Sequence, residues 1–386
     1  MQKKLIAVAV AGALAAPAAA LAQSTVQVFG NMYMEYGFIN QGANNIGGAD
    51  RANPDVLQSP GSEIGFRGEE KLGGGMAAWF QCASTADIRG QGPQGFCSRN
   101  SAIGLKGSFG NFFVGLWDNP YKRSVIGRTG ARATGAFGID HLVSGGPGTL
   151  AVGGATQGAF QRRQQNSINY DTPNFGGFMG MFSVTSTNPS TGLAAAAANA
   201  KQRHVSAAGL YRQGPVAVGV GYVENKKAYT AGTFAGDEDS WHVNASYQLG
   251  SVKLGGGYFW LDSNVGAGQN VKVNNYHLGA EWKLAGPHNV HFGYTRVGDT
   301  KGTLGAVMGA GANARPAVNA AGNTGAKLWQ VKYVHDLSKR TFTSVGYTHL
   351  KNDTNGDYNL GGLRVGAAGQ VGSKNRGVVV NIGHRF

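Results

Sequence analysis

The stretch that decides the fold is Arg376-Gly377-Val378-Val379-Val380-Asn381-Ile382-Gly383-His384-Arg385-Phe386. Val378, Val380, Ile382, His384 and Phe386 fall on one side of an extended chain, because successive side chains of a strand point to opposite faces. Apolar residues at every second position predict a strand, since a helix would repeat them every three or four residues. The same rhythm runs from Val26 to Phe38. There Val26, Val28, Met32, Met34, Tyr36 and Phe38 alternate with Gln27, Asn31 and Glu35. One such strand fits either a soluble sandwich or a barrel with lipid outside and a polar lumen inside.

Reading inward from both ends separates the two. Strands are expected at Leu57 to Lys71, from Met76, at Ser101 to Lys106, Phe112 to Trp117, Asn166 to Thr172 and Phe178 to Ser186. Others follow at His204 to Arg212, Val216 to Glu224, Trp241 to Leu249 and Val252 to Trp260. The last group covers Tyr276 to Lys283, Val290 to Tyr294, Trp329 to Tyr333 and Arg340 to Lys351. With the two terminal strands the count is sixteen. Tight turns such as Gly73-Gly74-Gly75 and Gln213-Gly214-Pro215 alternate with long connections such as 188–201, 299–326 and 351–375. Outer-membrane barrels sort their connections in this way, with short turns at one rim and long loops at the other. The expected fold is all-β: a sixteen-stranded antiparallel transmembrane β-barrel.

Composition agrees. The chain has 64 Gly, 10% aromatic and only 14% charged residues. A closed barrel pairs every strand edge, so it can stand in lipid with its backbone satisfied. Lys3-Lys4, the apolar run Leu5 to Leu14 and Ala20-Leu21-Ala22 read as an export signal, residues 1–22, with the barrel in 23–386. Removing Lys3 and Lys4 takes the formal charge from +14 to 14 − 2 = +12. Cys82 and Cys97 flank a turn-like segment, and export to an oxidising compartment makes a disulfide between them the default. Two cysteines alone do not suggest a metal site, and no cofactor is implied. Phe386 at the end resembles the signature that the bacterial barrel-assembly machinery reads. A basic chain raises nucleic-acid binding, but the cations are not interleaved with stacking aromatics on a soluble module.

The order of several motifs resembles the general trimeric porins of Gram-negative bacteria, in the β-proteobacterial branch. They include Val26-Gln27-Val28-Phe29-Gly30, Gly65-Phe66-Arg67-Gly68, Gly115-Leu116-Trp117-Asp118-Asn119-Pro120-Tyr121-Lys122, Asn166-Ser167-Ile168-Asn169-Tyr170-Asp171 and His384-Arg385-Phe386. The resemblance covers the whole mature chain. It implies a homotrimer in the outer membrane among lipid and lipopolysaccharide. It also implies a third outer loop folded inward as a constriction, and passive diffusion of small anionic or neutral hydrophilic solutes. One position departs: Leu116-Trp117 stand where many relatives carry Arg after the glycine, which removes one pore charge.

The segment from Asp118 to Arg163 is too long for a turn. It holds Lys122, Arg123, Arg128, Arg132, Arg162 and Arg163 against Asp118 and Asp140, so its formal charge is 6 − 2 = +4. Rings of Arg or Lys select anions in pores. The expected constriction set is Arg67, Lys106, Arg123, Arg128, Arg132, Asp140 and Arg162, with Arg67 and Lys106 facing the loop arginines across the lumen. Two other functions are weighed. A barrel hydrolase would draw on His242, His277 or His291, and an adhesin or phage receptor would use the long loops.

Overall fold

A computed structural model describes residues 26–42, 55–90, 95–144, 151–152, 155–156, 160–186, 203–231, 234–266, 269–302, 322–356, 358–360 and 372–386. The expected export signal, the 188–201 loop, most of 299–326 and about half of 351–375 lie outside them. Sixteen long strands follow one another: β1 (Gln27–Asn40), β2 (Glu63–Gly73), β3 (Met76–Thr85), β4 (Ser101–Gly107), β5 (Gly110–Asp118) and β6 (Arg163–Asp171). Next come β7 (Phe178–Thr185), β8 (Arg203–Gln213), β9 (Val216–Ala231), β10 (Phe234–Leu249) and β11 (Val252–Gly266). The last are β12 (Gln269–Lys283), β13 (His288–Val297), β14 (Ala326–Asp336), β15 (Thr341–Asn352) and β16 (Lys374–Arg385).

Each pairs antiparallel with the next, and β16 returns to β1, so the sheet is closed. The terminal ring sits in the closing seam. The Phe386 N–H donates to the Gly30 carbonyl at 3.1 Å, and the Gly30 N–H donates to the Phe386 carbonyl at 3.0 Å. The expected strand Leu57–Lys71 is broken. Asp55–Gln58 is a separate short strand on β1, and β2 begins at Glu63. Pro60 has no N–H to give a ladder, and Gly61 takes a left-handed φ of +79°, so the chain turns there.

Outward positions carry the apolar set: Leu278 and Ile103 are each 63% exposed, and Val378, Val380 and Ile382 share that face. This is the lipid belt. No helix among the described residues is long and apolar enough to cross a membrane. Tight turns close one rim. At the other rim Cys82 and Cys97 are bonded, with Cα atoms 4.8 Å apart, and tie the β3–β4 connection. Closing a loop of 15 residues restricts the unfolded chain by about 3 kcal/mol. A Cys82→Ser/Cys97→Ser variant is therefore expected to melt at lower temperature while conducting normally; heat-dependent gel mobility with bilayer recording checks both.

Inside, the alternation is not simply polar. Val223, Leu261, Val273, Leu328, Leu350 and Val379 point inward near the loop rim and are at most 3% exposed. They form one apolar cluster with Val125, Phe137, Ile139, Leu142 and Phe160 of the 119–162 loop. Burying such side chains is worth about 1.5–3 kcal/mol each. The barrel thus holds a hydrophobic core between its wall and its longest loop.

Candidate functional site

The 119–162 loop leaves β5 and folds into the lumen. Its root is closed by Asp118, which accepts from Lys122 Nζ at 2.7 Å and lies 3.5 Å from Arg163 Nε. Asn119 caps a one-turn helix, α1 (Pro120–Arg123): its side chain accepts from the Lys122 N–H, and Pro120 fills the first position. A second short helix, α2 (Asp140–Val143), packs against β12 and β13.

Between them the loop runs along the inside of the wall. The Tyr121 N–H donates to Ser206 Oγ at 3.0 Å on β8. The Ile126 and Gly127 N–H groups both donate to Asn244 Oδ1 at 2.7 Å on β10. The Gly130 N–H donates to Glu281 at 3.1 Å on β12, and the Ala136 N–H to Glu35 at 2.6 Å on β1. Glu35 also accepts from Tyr33 Oη and from the Gln58 amide, so its buried carboxylate holds three donors.

Glycines allow this close approach. A Cβ built on Gly279 would overlap the Thr129 carbonyl, one on Gly219 the Ser124 carbonyl, and one on Gly255 the Thr129 hydroxyl. Loop glycines answer them: Gly127 would strike the Gly256 carbonyl and Gly130, at φ +78°, the Phe292 carbonyl. Backbone lies on backbone along this seam. Glycine inside a strand marks such a contact, and the sequence reading passed over it.

The seven expected constriction residues separate into three groups. Arg67 and Lys106 point inward, but low in the barrel. Arg67 pairs with Gln27, whereas the loop meets β1 at Tyr33 and Glu35. Six residues separate Gln27 from Tyr33, about 20 Å along the strand. Arg67 Nε donates to Gln27 at 3.2 Å, and Lys106 Nζ donates to Glu69 at 2.6 Å. Arg67 does not face the loop arginines, and Lys106 shares its level with Asp171, the carboxylate that holds Arg123.

Arg123, Arg128, Asp140 and Arg162 brace the loop. Arg123 forks onto Asp171 at 2.8 and 2.6 Å, on the same side of the barrel as Lys106, since Asp171 and Lys106 both pair with Asn111. Arg128 Nε lies 3.3 Å from Asp140. Burial pushes the Asp140 carboxyl up, opposed by the Arg128 charge. Arg162 Nε donates to Gln164 at 2.8 Å. Asp118 and Asp140 are already counted in the +4 formal charge of the segment, so of these contacts only Asp171 lowers it, to 4 − 1 = +3.

Arg132 remains on the pore. Its guanidinium lies 3.5 Å from the centre of the Tyr33 ring. With it stands Lys332 of β14, unmarked by the sequence reading, whose ammonium is 5.2 Å from the Phe137 ring. Both line a cavity of about 740 Å³ below the loop, with Glu281 and His291 on the same wall. Its charged lining counts five cations (Arg132, Lys332, Lys339, Arg340, Arg385) against three acids (Glu63, Glu281, Asp336), a net of 5 − 3 = +2. Low-dielectric walls focus such a charge into the water between them.

Of the histidines considered for hydrolysis, His291 lines that cavity, and His242 and His277 are buried elsewhere. His242 lies 3.2 Å from Ser124 Oγ, yet both residues are 0% exposed beneath the loop. Glu63 and Glu69 are each held by a cation, Arg99 at 2.5 Å and Lys106 at 2.6 Å. Among the described residues no group of three or more His, Cys, Asp or Glu is gathered as a metal site.

A closed sixteen-stranded barrel with an apolar outer belt and a loop seated in its lumen defines a channel of the outer-membrane type. The chain belongs to the Gram-negative porin family, whose model matches residues 7–355. It is 30% identical over 393 residues to outer membrane porin protein 32 of Delftia acidovorans, covering 100% of both chains. It is 30% identical over 188 residues, 47% of each chain, to the major outer membrane protein P.IB of Neisseria gonorrhoeae. Among solved structures, the anion-selective porin from Comamonas acidovorans superposes with a TM-score of 0.74 at 26% identity, covering 94% of this chain and 100% of that one. OmpT of Vibrio cholerae shares the fold alone, with a TM-score of 0.66 at 16% identity. The protein is an outer-membrane porin: a channel, not an enzyme.

Proposed function

We propose that the pore prefers anions, and that Arg132 and Lys332 carry the preference. The observation behind this reading is their placement. Both cations rest on aromatic faces beside the open cavity. Glu35, which faces the Arg132 charge, is buried and held between the wall and the loop, and Glu281 of the same cavity accepts from the Gly130 N–H. A cation over an aromatic face is drawn to the ring and fixed in direction, so the orientation of the positive field is built in. The name of the solved Comamonas porin, anion-selective, agrees with it. Small anionic or neutral hydrophilic solutes are the fitting cargo.

The rest of the assembly follows the same reading. The chain forms a homotrimer among outer-membrane lipid and lipopolysaccharide, after residues 1–22 are removed. The barrel-assembly machinery engages the terminal strand through Phe386.

The test is the zero-current potential of the purified channel in a planar bilayer across a KCl gradient. A sign showing chloride as the more permeant ion is expected. A potassium-directed sign overturns the anion preference and leaves the barrel standing.

A further inference from the structure

We infer that His204, His242 and His277 are positioning residues of the constriction, and that they hold the inward loop only while their rings are neutral. They stand on β8, β10 and β12, every second strand, and all point inward. Their exposures are 0%, 0% and 1%. Each touches a different part of the loop: Asn119, Tyr121 with Ser124, and Thr129.

The hydrogen-bond network assigns their protons. Asn244 Oδ1 accepts from the Ile126 and Gly127 N–H groups, which fixes the amide. Its Nδ2, which donates to the Ser124 and Gly219 carbonyls at 3.1 Å, lies 2.8 Å from His242 Nδ1 and offers that nitrogen no acceptor. That nitrogen is bare, and Nε2–H donates to the Tyr121 carbonyl at 2.9 Å. Asn119 is fixed in the same manner: Oδ1 accepts from the Lys122 N–H at 2.9 Å and Nδ2 donates to the Phe160 carbonyl at 2.8 Å. Nδ2 faces His204 Nε2 at 3.3 Å, so Nε2 is bare and Nδ1–H donates to Asn225 Oδ1 at 2.5 Å. His277 gives Nε2–H to the Thr129 carbonyl at 3.0 Å, and its Nδ1 accepts from the Thr295 hydroxyl at 2.9 Å.

A second proton breaks this arrangement. At His242 and His204 the new N–H points at an amide N–H₂ whose direction the backbone sets, so donor meets donor. The Thr295 hydroxyl can turn, so His277 resists least. The surroundings add repulsion: Arg128 faces His242 and His277, and Arg162 faces His204. Glu238 lies beyond Asn225, and Glu281 is bonded to the Gly130 N–H. The Tyr121 and Phe259 rings and the Ser124 hydroxyl enclose His242 on its other sides. A buried charge without a partner is costly. The neutral rings lock the loop to the wall, and protonation as pH falls releases it into the lumen.

The experiment compares single channels at about pH 7 and about pH 2.5 in symmetrical KCl, so that the acid end lies several units below the ordinary imidazole value. Loss of the fully open level at acid pH, in favour of noisy lower levels, is expected for the wild-type protein. His204→Asn/His242→Gln/His277→Gln keeps an amide donor near each lost ring N–H and cannot titrate. It is expected to keep its open level at both pH values. Asp140→Asn removes the buried carboxyl of the loop itself and is expected to retain the acid response. A wild-type channel that stays open, a triple variant that still closes, or an Asp140→Asn channel that no longer closes each overturns the proposal. Should the triple variant not assemble, His242→Gln alone is expected to move the transition to lower pH; an unmoved transition overturns the proposal as well.

Discussion

Arg132→Glu with Lys332→Glu reverses the sign of the zero-current potential in a KCl gradient. In the cavity below the loop the charged lining passes from five cations and three acids to three cations and five acids, so its net goes from +2 to 3 − 5 = −2. Two unit charges at 4 Å interact by about 4 kcal/mol at a surface-like dielectric. A narrow, low-dielectric lumen keeps part of that for a passing ion. The expected change in the anion-to-cation permeability ratio is about tenfold or more at low salt. It shrinks near 1 M KCl, where the screening length is only about 3 Å. Glutamine at both positions is expected to give a potential close to zero. Lys106→Gln serves as the contrast, because that ammonium is already paired with Glu69 near the turn rim. A full reversal with Lys106→Gln and none with the double glutamate would move the selectivity to the lower barrel and refute the assignment to Arg132 and Lys332.

The barrel was legible because lipid imposes a rule on every second residue. Val378, Val380 and Ile382 must be apolar, and each strand repeats that demand. The face of Arg67 and Lys106 was legible for the same reason. Their height was not. Alternation gives inside or outside, whereas depth follows from strand register, and Arg67 pairs with Gln27 rather than with the level of Tyr33. The count of loop cations was legible, but their partners were not. Arg123 meets Asp171 across 48 residues of chain, and only the folded loop brings Arg128 to Asp140. Lys332 looked like one more polar inward residue between Tyr333 and Val331. Its meaning comes from Arg132 and Phe137, which arrive from the loop. The apolar run Phe259-Trp260-Leu261 was a readable break in the alternation. Phe259 and Leu261 point inward and are at most 2% exposed, and Leu261 packs into the loop core that a water-filled lumen alone would not need.

Gly279→Val is expected to unseat the loop, and Gly293→Ala on the next strand is expected to leave it in place. Both glycines point inward in the same belt. A Cβ on Gly279 would overlap the Thr129 carbonyl and lie 3.0 Å from the Phe292 carbonyl, and both are backbone atoms that cannot swing aside. A Cβ on Gly293 meets Gln330 Oε1 at 3.5 Å and His277 Cε1 at 3.6 Å, which is ordinary contact. Neither glycine has a left-handed φ, so the comparison isolates space from backbone strain. In Gly279→Val the loop must lift at Thr129. That parts the Thr129 carbonyl from His277 and strains the Gly130 bond to Glu281. Overpacking costs about 1–3 kcal/mol and each weakened hydrogen bond about 0.5–1.5 kcal/mol more. The barrel ladders do not share that cost, since the β12 register with β11 and β13 uses the backbone groups of Gly279 and not its side-chain space. A cost of 2 kcal/mol or more raises the open fraction of the loop by about thirtyfold. Hydrogen exchange of the amides at 126, 127, 130 and 136 reads that fraction directly. Faster exchange at these four with unchanged strand amides is the expected pattern. Equal exchange in Gly279→Val and the wild-type protein would mean that the seam does not hold the loop.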